Sequence, residues 1–252
     1  MTQRVLITGA GDGIGLGIAG EFLKTGATVF ICDVRGELFD EEMRRTFAGC
    51  YRTDVGSTDD VASMFEDIRS KAGGLDVLIN NVGIAGPHAG VEDIDLADWE
   101  ATLRVNLTGA FLCIKEAVPH MKAQGGGAII NISSVGTLTV PPMRSVYNTS
   151  KWAIEGLTKS LARELGPFGI SCNAILPGIM NNNRMRGIME RRSKHENRDV
   201  DDIAGDYLKY SAMGRLIEVE EIGHAAVFLA SDKARGITSQ FLSVCGGTAY
   251  ED

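Results

Sequence analysis

The segment SVYNTSKWAIEGL, residues 145–157, sets a phenol at Tyr147 and an amine at Lys151 one helical turn apart. Aromatic and lysine side chains at i and i+4 share a helix face, and in most proteins they only pack stem against ring. Chemistry becomes possible when a third group joins them. Ser134 ends the apolar run IINISS and lies 13 residues before Tyr147, so a loop can bring strand end and helix start together. A carbinol carbon that gives up hydride also needs a base for its hydroxyl proton. A phenol, titrating at about 10, is a weak base alone, but a neighbouring ammonium stabilises the phenolate. Lys151 is placed to supply that charge. Ser134 can hydrogen-bond the substrate oxygen as negative charge develops on it.

Such a trio needs a hydride acceptor, and the first turn of the chain offers a place for one. The strand pattern RVLIT runs into TGAGDGIGLGIA, with glycines at 9, 13 and 15. The spacing is not G-x-G-x-x-G, yet the physics is the same. Glycines permit a tight strand-to-helix turn, and backbone N–H groups can approach a pyrophosphate at the positive end of the helix. Asp33 ends the second strand pattern TVFICD, 20 residues after Gly13. A carboxylate in that register bonds the adenosine ribose and repels a 2′-phosphate, so NAD is expected over NADP. Asp12 puts no basic group in the turn, whereas Arg35 stands two residues beyond Asp33.

The elements that must position these groups follow from the patterning. Short β-branched runs at 4–8, 28–33, 50–54, 76–80, 127–133, 170–176 and 240–244 alternate with helical patterns near 14–25, 36–46, 58–72, 97–121, 146–166 and 219–230. Most of the runs are apolar throughout, as in strands covered on both faces. The expected fold is α/β, a Rossmann-like, doubly wound, seven-stranded parallel sheet with helices on both faces, and residues 1–252 read as one domain. Residues 180–213 are long, polar and weakly helical, which is the pattern of a substrate lid.

Bulk properties exclude other classes. The 252-residue chain is 44% apolar and 23% charged, with a net charge of −8. That balance argues against nucleic-acid binding, which needs a basic surface, and no apolar run suggests a membrane span. Cysteines at 32, 50, 113, 172 and 245 are scattered, odd in number and without a C-x-x-C pair, so neither a disulfide framework nor a metal site is expected. With no cleavable secretory pattern at MTQRVLITG, the expected location is cytoplasmic.

Taken together, TGAGDGIG, NNVG (80–83), RVNLTG (104–109), INISS (130–134), YNTSK (147–151) and LPG (176–178) resemble the compact branch of the short-chain dehydrogenase/reductase family in order and spacing. The resemblance spans essentially the whole chain. It implies Tyr147 as acid/base, Lys151 as its pKa-lowering partner and ribose ligand, Ser134 as the orienter of the substrate oxygen, and Asn106 as holder of a proton-relay water. It further implies a nucleotide site at Gly9, Asp12, Gly13, Ile14 and Gly15, with Asp33 on the ribose and Asp54 and Val55 on the adenine. Asn80, Asn81, Val82, Gly83, Pro177, Gly178, Ile179 and Asn182 would complete it. Ser133 is the decoy of the serine doublet. Val82 stands where the family has a small residue, Asn182 where it has threonine, and Cys245 where it often has aspartate.

The implied activity is NAD-dependent, reversible oxidation of a secondary alcohol. An NADPH-linked ketone or 3-oxoacyl reductase is the rival within the class, and a dinucleotide-sensing regulatory or scaffold protein is the rival outside it. Thr137, Leu138, Val140, Pro141 and Met143 are expected to line the substrate pocket. The basic run Arg184, Arg186, Arg191, Arg192, Lys194, His195 and Arg198 could meet an anionic substrate, but the favoured reading is a solvated face paired with nearby acids. By family analogy a homotetramer is expected, with Ala110, Ala117, Ala153, Gly156 and Ala162 admitting close helix approach.

Overall fold

The structure is a computed structural model that describes residues 2–248, with the side chain of Arg184 outside the described set. Its strands are β1 (Arg4–Thr8), β2 (Thr28–Asp33), β3 (Gly49–Arg52), β4 (Val77–Asn80), β5 (Gly127–Ile132), β6 (Ile170–Pro177) and β7 (Phe241–Val244). They pair in parallel as one sheet in the order β3-β2-β1-β4-β5-β6-β7. From β1 the chain builds outward through β2 and β3, then returns to place β4 on the other side of β1. The strand order therefore reverses at the carboxyl ends of β1 and β4, which opens a crevice there.

Alternate residues of each strand enter two separate cores, so the strands read as unbroken apolar runs. On one face Val5, Ile7, Val29 and Ile31 pack with α1 (Gly13–Lys24) and with α10 (Val219–Leu229). On the other, Leu6, Phe30, Leu78 and Ile129 meet α3 (Thr58–Ala72), α5 (Gly109–Gln124) and α7 (Ser145–Leu165). The boundaries of α3 follow local chemistry: the Ser57 hydroxyl accepts from Asp60 N–H, and Gly73 ends the helix in the left-handed region at φ 74°.

Three expected elements differ. The helix expected over 36–46 is a 3₁₀ turn, Gly36–Leu38, followed by α2 (Glu41–Thr46), because the Asp40 carboxylate caps at Met43 N–H and starts the helix late. The helix expected over 97–121 is α4 (Leu96–Leu103) and α5, joined by a π turn at Arg104–Thr108. The segment 180–213 is more ordered than its composition implied. It holds α8 (Asn183–Glu196) and α9 (Val200–Leu208), capped by the Asn182 and Asp199 side chains. A four-residue helix, α6 (Gly136–Thr139), lies between β5 and α7.

The small residues expected on an outer interface divide in two. Ala117 and Ala162 are buried in the core, where they let α5 and α7 approach the sheet, Ala110 is buried within the chain, and Ala153 is half-buried. Gly156 is exposed, and Phe111 and Trp152 present half their surface to the outside of the same helices.

Candidate active site

A cleft of about 1480 Å³ lies over the carboxyl ends of the strands and reaches from the glycine turn to the start of α7. At its nucleotide end, Gly9 (φ 63°) and Gly13 (φ 56°) take backbone conformations that suit glycine. A methyl group built on Gly13 would touch nothing within 4 Å. The first amides of α1 have no intrahelical partner, and Asp12 makes no side-chain cap to them. Its carboxylate instead meets Arg35 Nη2 at 3.1 Å. These features fit a pyrophosphate, for which open N–H groups at a helix start are the ordinary recognition element.

Asp33, ending β2, is buried at the same end. Its Oδ2 accepts Gly11 N–H at 3.2 Å, and its Oδ1 accepts Arg35 N–H at 3.0 Å. Arg35 thus stands between two carboxylates. Asp54 accepts Gly56 N–H at 2.9 Å and Arg104 Nη1 at 2.8 Å. Burial pushes the Asp54 carboxyl up, but the bonds from Arg104 and Gly56 outweigh it and hold the pKa below its ordinary value. Val55, Val82 and Gly83 line the adjoining wall.

Asn81 Nδ2 donates to the carbonyls of Thr8 and Gly9 at 3.0 and 2.9 Å, tying the end of β4 to the turn after β1. Two expected contacts are corrected here. Asn80 does not line the cleft; it is buried and donates to Asn131 Oδ1 at 2.9 Å. Gly15 does not line it either. A Cβ there would press on the Gly9 carbonyl and lie 2.6 Å from Asn81 Nδ2, so this glycine serves close packing of α1 against the turn.

At the other end Ser134 follows β5 and Tyr147 sits in the first turn of α7, and both line the cleft. They converge over Gly136: a Cβ built there would lie 3.2 Å from Ser134 Oγ and 3.8 Å from the Tyr147 ring edge. Ser134 Oγ also accepts Gly136 N–H at 3.0 Å. Lys151 is buried beneath them. Its Nζ donates to the Ile132 carbonyl at 2.8 Å and lies 5.9 Å from the Tyr147 ring centroid. Gly83 passes directly over this ammonium, since a Cβ there would lie 3.1 Å from Nζ. Ser133, the decoy, donates to buried Glu155 at 2.6 Å.

Asn106 occupies the π turn and stands behind the cleft rather than in its wall. Its Oδ1 accepts Ile84 N–H at 2.8 Å, and its Nδ2 donates to the Ile84 carbonyl and to Ser150 on α7. It therefore ties the loop after β4 to α7. Pro177, Gly178, Ile179 and Asn182 line the wall leading to α8. Asn182 accepts Met185 N–H at 2.9 Å as the cap of α8.

The substrate end differs from expectation. Pro141 lines the cleft, joined by Thr139 and Pro142. Thr137 is buried against the Ser134 carbonyl, while Leu138, Val140 and Met143 face outward. The charged segment turns Met185, Ile188, Tyr207 and Tyr210 toward the cleft. Arg192 and Arg198 are held by Glu196 and Asp206 at 2.6–2.9 Å, the solvated pairing favoured from sequence. Arg144 also lines the cleft, its guanidinium 4.8 Å from the Tyr147 ring centroid. It lies within the stretch MRSVYNTSK, three residues before Tyr147, and that spacing was its only sequence signal.

Among the described residues, no group of three or more His, Cys, Asp or Glu could hold a metal ion. All five cysteines are free thiols, and burial pushes Cys32 and Cys172 up to about 12. Cys245 is buried against the turn at Gly178. No described helix is long and apolar enough to cross a membrane.

Comparison with known proteins agrees with this geometry. A family model described as Enoyl-(Acyl carrier protein) reductase matches residues 9–249. The cis-4-hydroxycyclohexanecarboxylate dehydrogenase of Sinomonas cyclohexanicum is 35% identical over 250 residues, 97% of this chain and 96% of that protein. NAD+-bound xylitol dehydrogenase superposes with a TM-score of 0.90 at 30% identity, covering 97% of this chain and 98% of that one. An actinorhodin polyketide ketoreductase with NADPH gives 0.91 at 29% identity, covering 98% and 97%. The glycine turn, the Ser134–Tyr147–Lys151 cluster and these matches together make the chain an oxidoreductase belonging to the short-chain dehydrogenase/reductase family.

Proposed function

We propose that the protein is an NAD-dependent dehydrogenase that reversibly oxidises a secondary alcohol to a ketone. The observation that carries this reading is the convergence of Ser134 and Tyr147 over Gly136 with the Lys151 ammonium buried beneath. Bound nicotinamide dinucleotide would supply the hydride acceptor, held by the turn at Gly9–Gly13, by Asp33 at the ribose and by Lys151. Tyr147 Oη accepts the carbinol proton as the C–H bond breaks. The Lys151 charge stabilises the phenolate formed on deprotonation, and the Ser134 hydroxyl holds the substrate oxygen. Asn106 keeps the loop at Ile84 in register with α7, and the proton relay from Lys151 to solvent passes beside it. In this reading α8 and α9 form the substrate lid, turning Met185, Ile188 and Tyr207 onto the cleft.

Asp33 supports the preference for NAD, because a buried carboxylate at the end of β2 would bond a ribose hydroxyl and repel a 2′-phosphate. The rival NADPH-linked ketone reductase draws support from Arg35, whose guanidinium is half exposed at the same end of the cleft. Its engagement by Asp12 and Asp33 favours NAD. Free thiols fit a reducing cytoplasm. Exposed Phe111 and Trp152 on α5 and α7 fit a homotetramer built through these helices.

The Tyr147→Phe variant tests the mechanism. It should bind NADH like the wild type in a fluorescence titration while turnover of alcohols falls by about 10²- to 10⁴-fold. Near-normal turnover would exclude Tyr147 as the base.

A further inference from the structure

The cations that line the cleft differ in their surroundings. Arg35 is paired with Asp12 and Asp33, Arg104 with Asp54, and Lys24 with Glu21. No described carboxylate pairs with Arg144, and its Nε is buried without an acceptor. The adjacent Ser145 Oγ is likewise buried without a partner, and α7 starts with no side-chain cap. Nε itself has no surface that a ligand could reach, so it is the guanidinium's place on the cleft wall, without a carboxylate partner, that leaves room for an anion.

From this we infer that Arg144 holds an anionic group of the substrate, a carboxylate, and so selects hydroxy acids or oxo acids over neutral alcohols and ketones. The inference rests on the dehydrogenase reading and narrows its substrate class. A planar guanidinium matches a carboxylate with two parallel hydrogen bonds, a match no neutral hydroxyl offers. Its position fits the role. Arg144 and Tyr147 lie three residues apart at the start of α7, with guanidinium and ring 4.8 Å apart and both on the cleft wall. A carboxylate on Arg144 therefore stands a few bonds from a carbinol oxygen at Tyr147. The dinucleotide's phosphates are not the ligand, because the glycine turn lies at the other end of the cleft. The lid arginines Arg192 and Arg198 do not compete for the role, since Glu196 and Asp206 already hold them.

A different function for the same geometry would be tuning of Tyr147 by the stacked charge, and selectivity separates the two. Calorimetric titration of the NADH-loaded protein with benzoate and with its neutral isostere benzamide gives the preference for charge directly. The wild type should favour benzoate by tenfold or more. Arg144→Gln should reduce that preference by about ten- to a hundred-fold, and Arg144→Lys should restore part of it, keeping the charge but not the fork. NADH binding by each variant shows that its pocket is folded. Equal affinity for the two probes in the wild type, including no detectable binding of either, overturns the inference. So does a preference that Arg144→Gln leaves unmoved, which is the result expected of a tuning role. Either failure leaves the dehydrogenase reading standing, because that is decided by Tyr147→Phe.

Discussion

Replacing Asp33 with asparagine removes one charge while keeping the shape of the side chain. In the wild type each carboxylate oxygen faces a backbone donor, Gly11 N–H at 3.2 Å and Arg35 N–H at 3.0 Å. However the new amide is turned, its NH₂ group faces one of those donors. One hydrogen bond to a charged acceptor is lost, at a cost to stability of about 1.5–3 kcal/mol. The larger effect is on nucleotide choice. A carboxylate and one phosphate charge at about 4 Å repel by about 4 kcal/mol at an effective dielectric of about 20. Arg35, with Nε 3.4 Å from Oδ1, offsets part of this. A residual of about 2–3 kcal/mol corresponds to about a 30- to 150-fold preference for NADH over NADPH, which Asp33→Asn should largely abolish. Fluorescence titrations with both nucleotides on both proteins give the ratio without any knowledge of the alcohol. Tighter NADPH binding by the wild type, or a ratio that the substitution does not change, would refute the role assigned to Asp33.

Two further outcomes concern stability. Gly15→Ala pushes a methyl group against the Gly9 carbonyl and Asn81. Overpacking of this kind costs about 1–3 kcal/mol, so the melting temperature should fall by several degrees. Gly20→Ala, where nothing lies within 4 Å of the added carbon, should not lower it. Asp76 accepts Arg4 N–H, Nε and Nη2 at 2.7–2.8 Å. Burial pushes this carboxyl up, but the Arg4 bonds outweigh it and the folded-state pKa lies below its ordinary value. The stability from this pair is therefore complete above the unfolded carboxylate value of about 3.9 and is lost as pH falls through the lower folded one. Urea midpoints measured across that acid limb should fall less steeply in Asp76→Asn than in the wild type.

What was legible in the sequence depended on whether a residue's type alone constrained its surroundings. Val5, Leu6 and Ile7, a short β-branched run before a glycine turn, suit a strand covered on both faces, and β1 spans the expected residues. Tyr147, Lys151 and Ser134 were legible as a group because their types and spacing let a strand end and a helix start meet, and the structure brings them to one end of the cleft. The break between α4 and α5 was not legible. It accompanies the bonds of Asn106 to Ile84 and Ser150, 22 and 44 residues distant, and no helical pattern encodes such partners. The burial of Ala117 and Ala162 inside the chain was not legible for a related reason. A small residue permits close approach on any side, and only the position of the sheet decided that Ala117 and Ala162 face inward.

Gly13 and Gly15 show the same limit inside one motif. Both suit a tight turn, yet one opens onto the cleft and the other is pressed against a carbonyl. Arg144 is the strongest case. Its significance lies in a donor without an acceptor, a relation among atoms that no single residue type contains. A guanidinium so placed meets an anion during the reaction, tunes the Tyr147 ring it stacks on, or remains a standing cost to the fold. If it does neither of the first two, Arg144→Gln should stabilise the NADH-bound protein and leave its ligand preference alone. If an anion is needed, the preference collapses whatever happens to stability, so measuring both on the same variant separates a useful charge from a tolerated one.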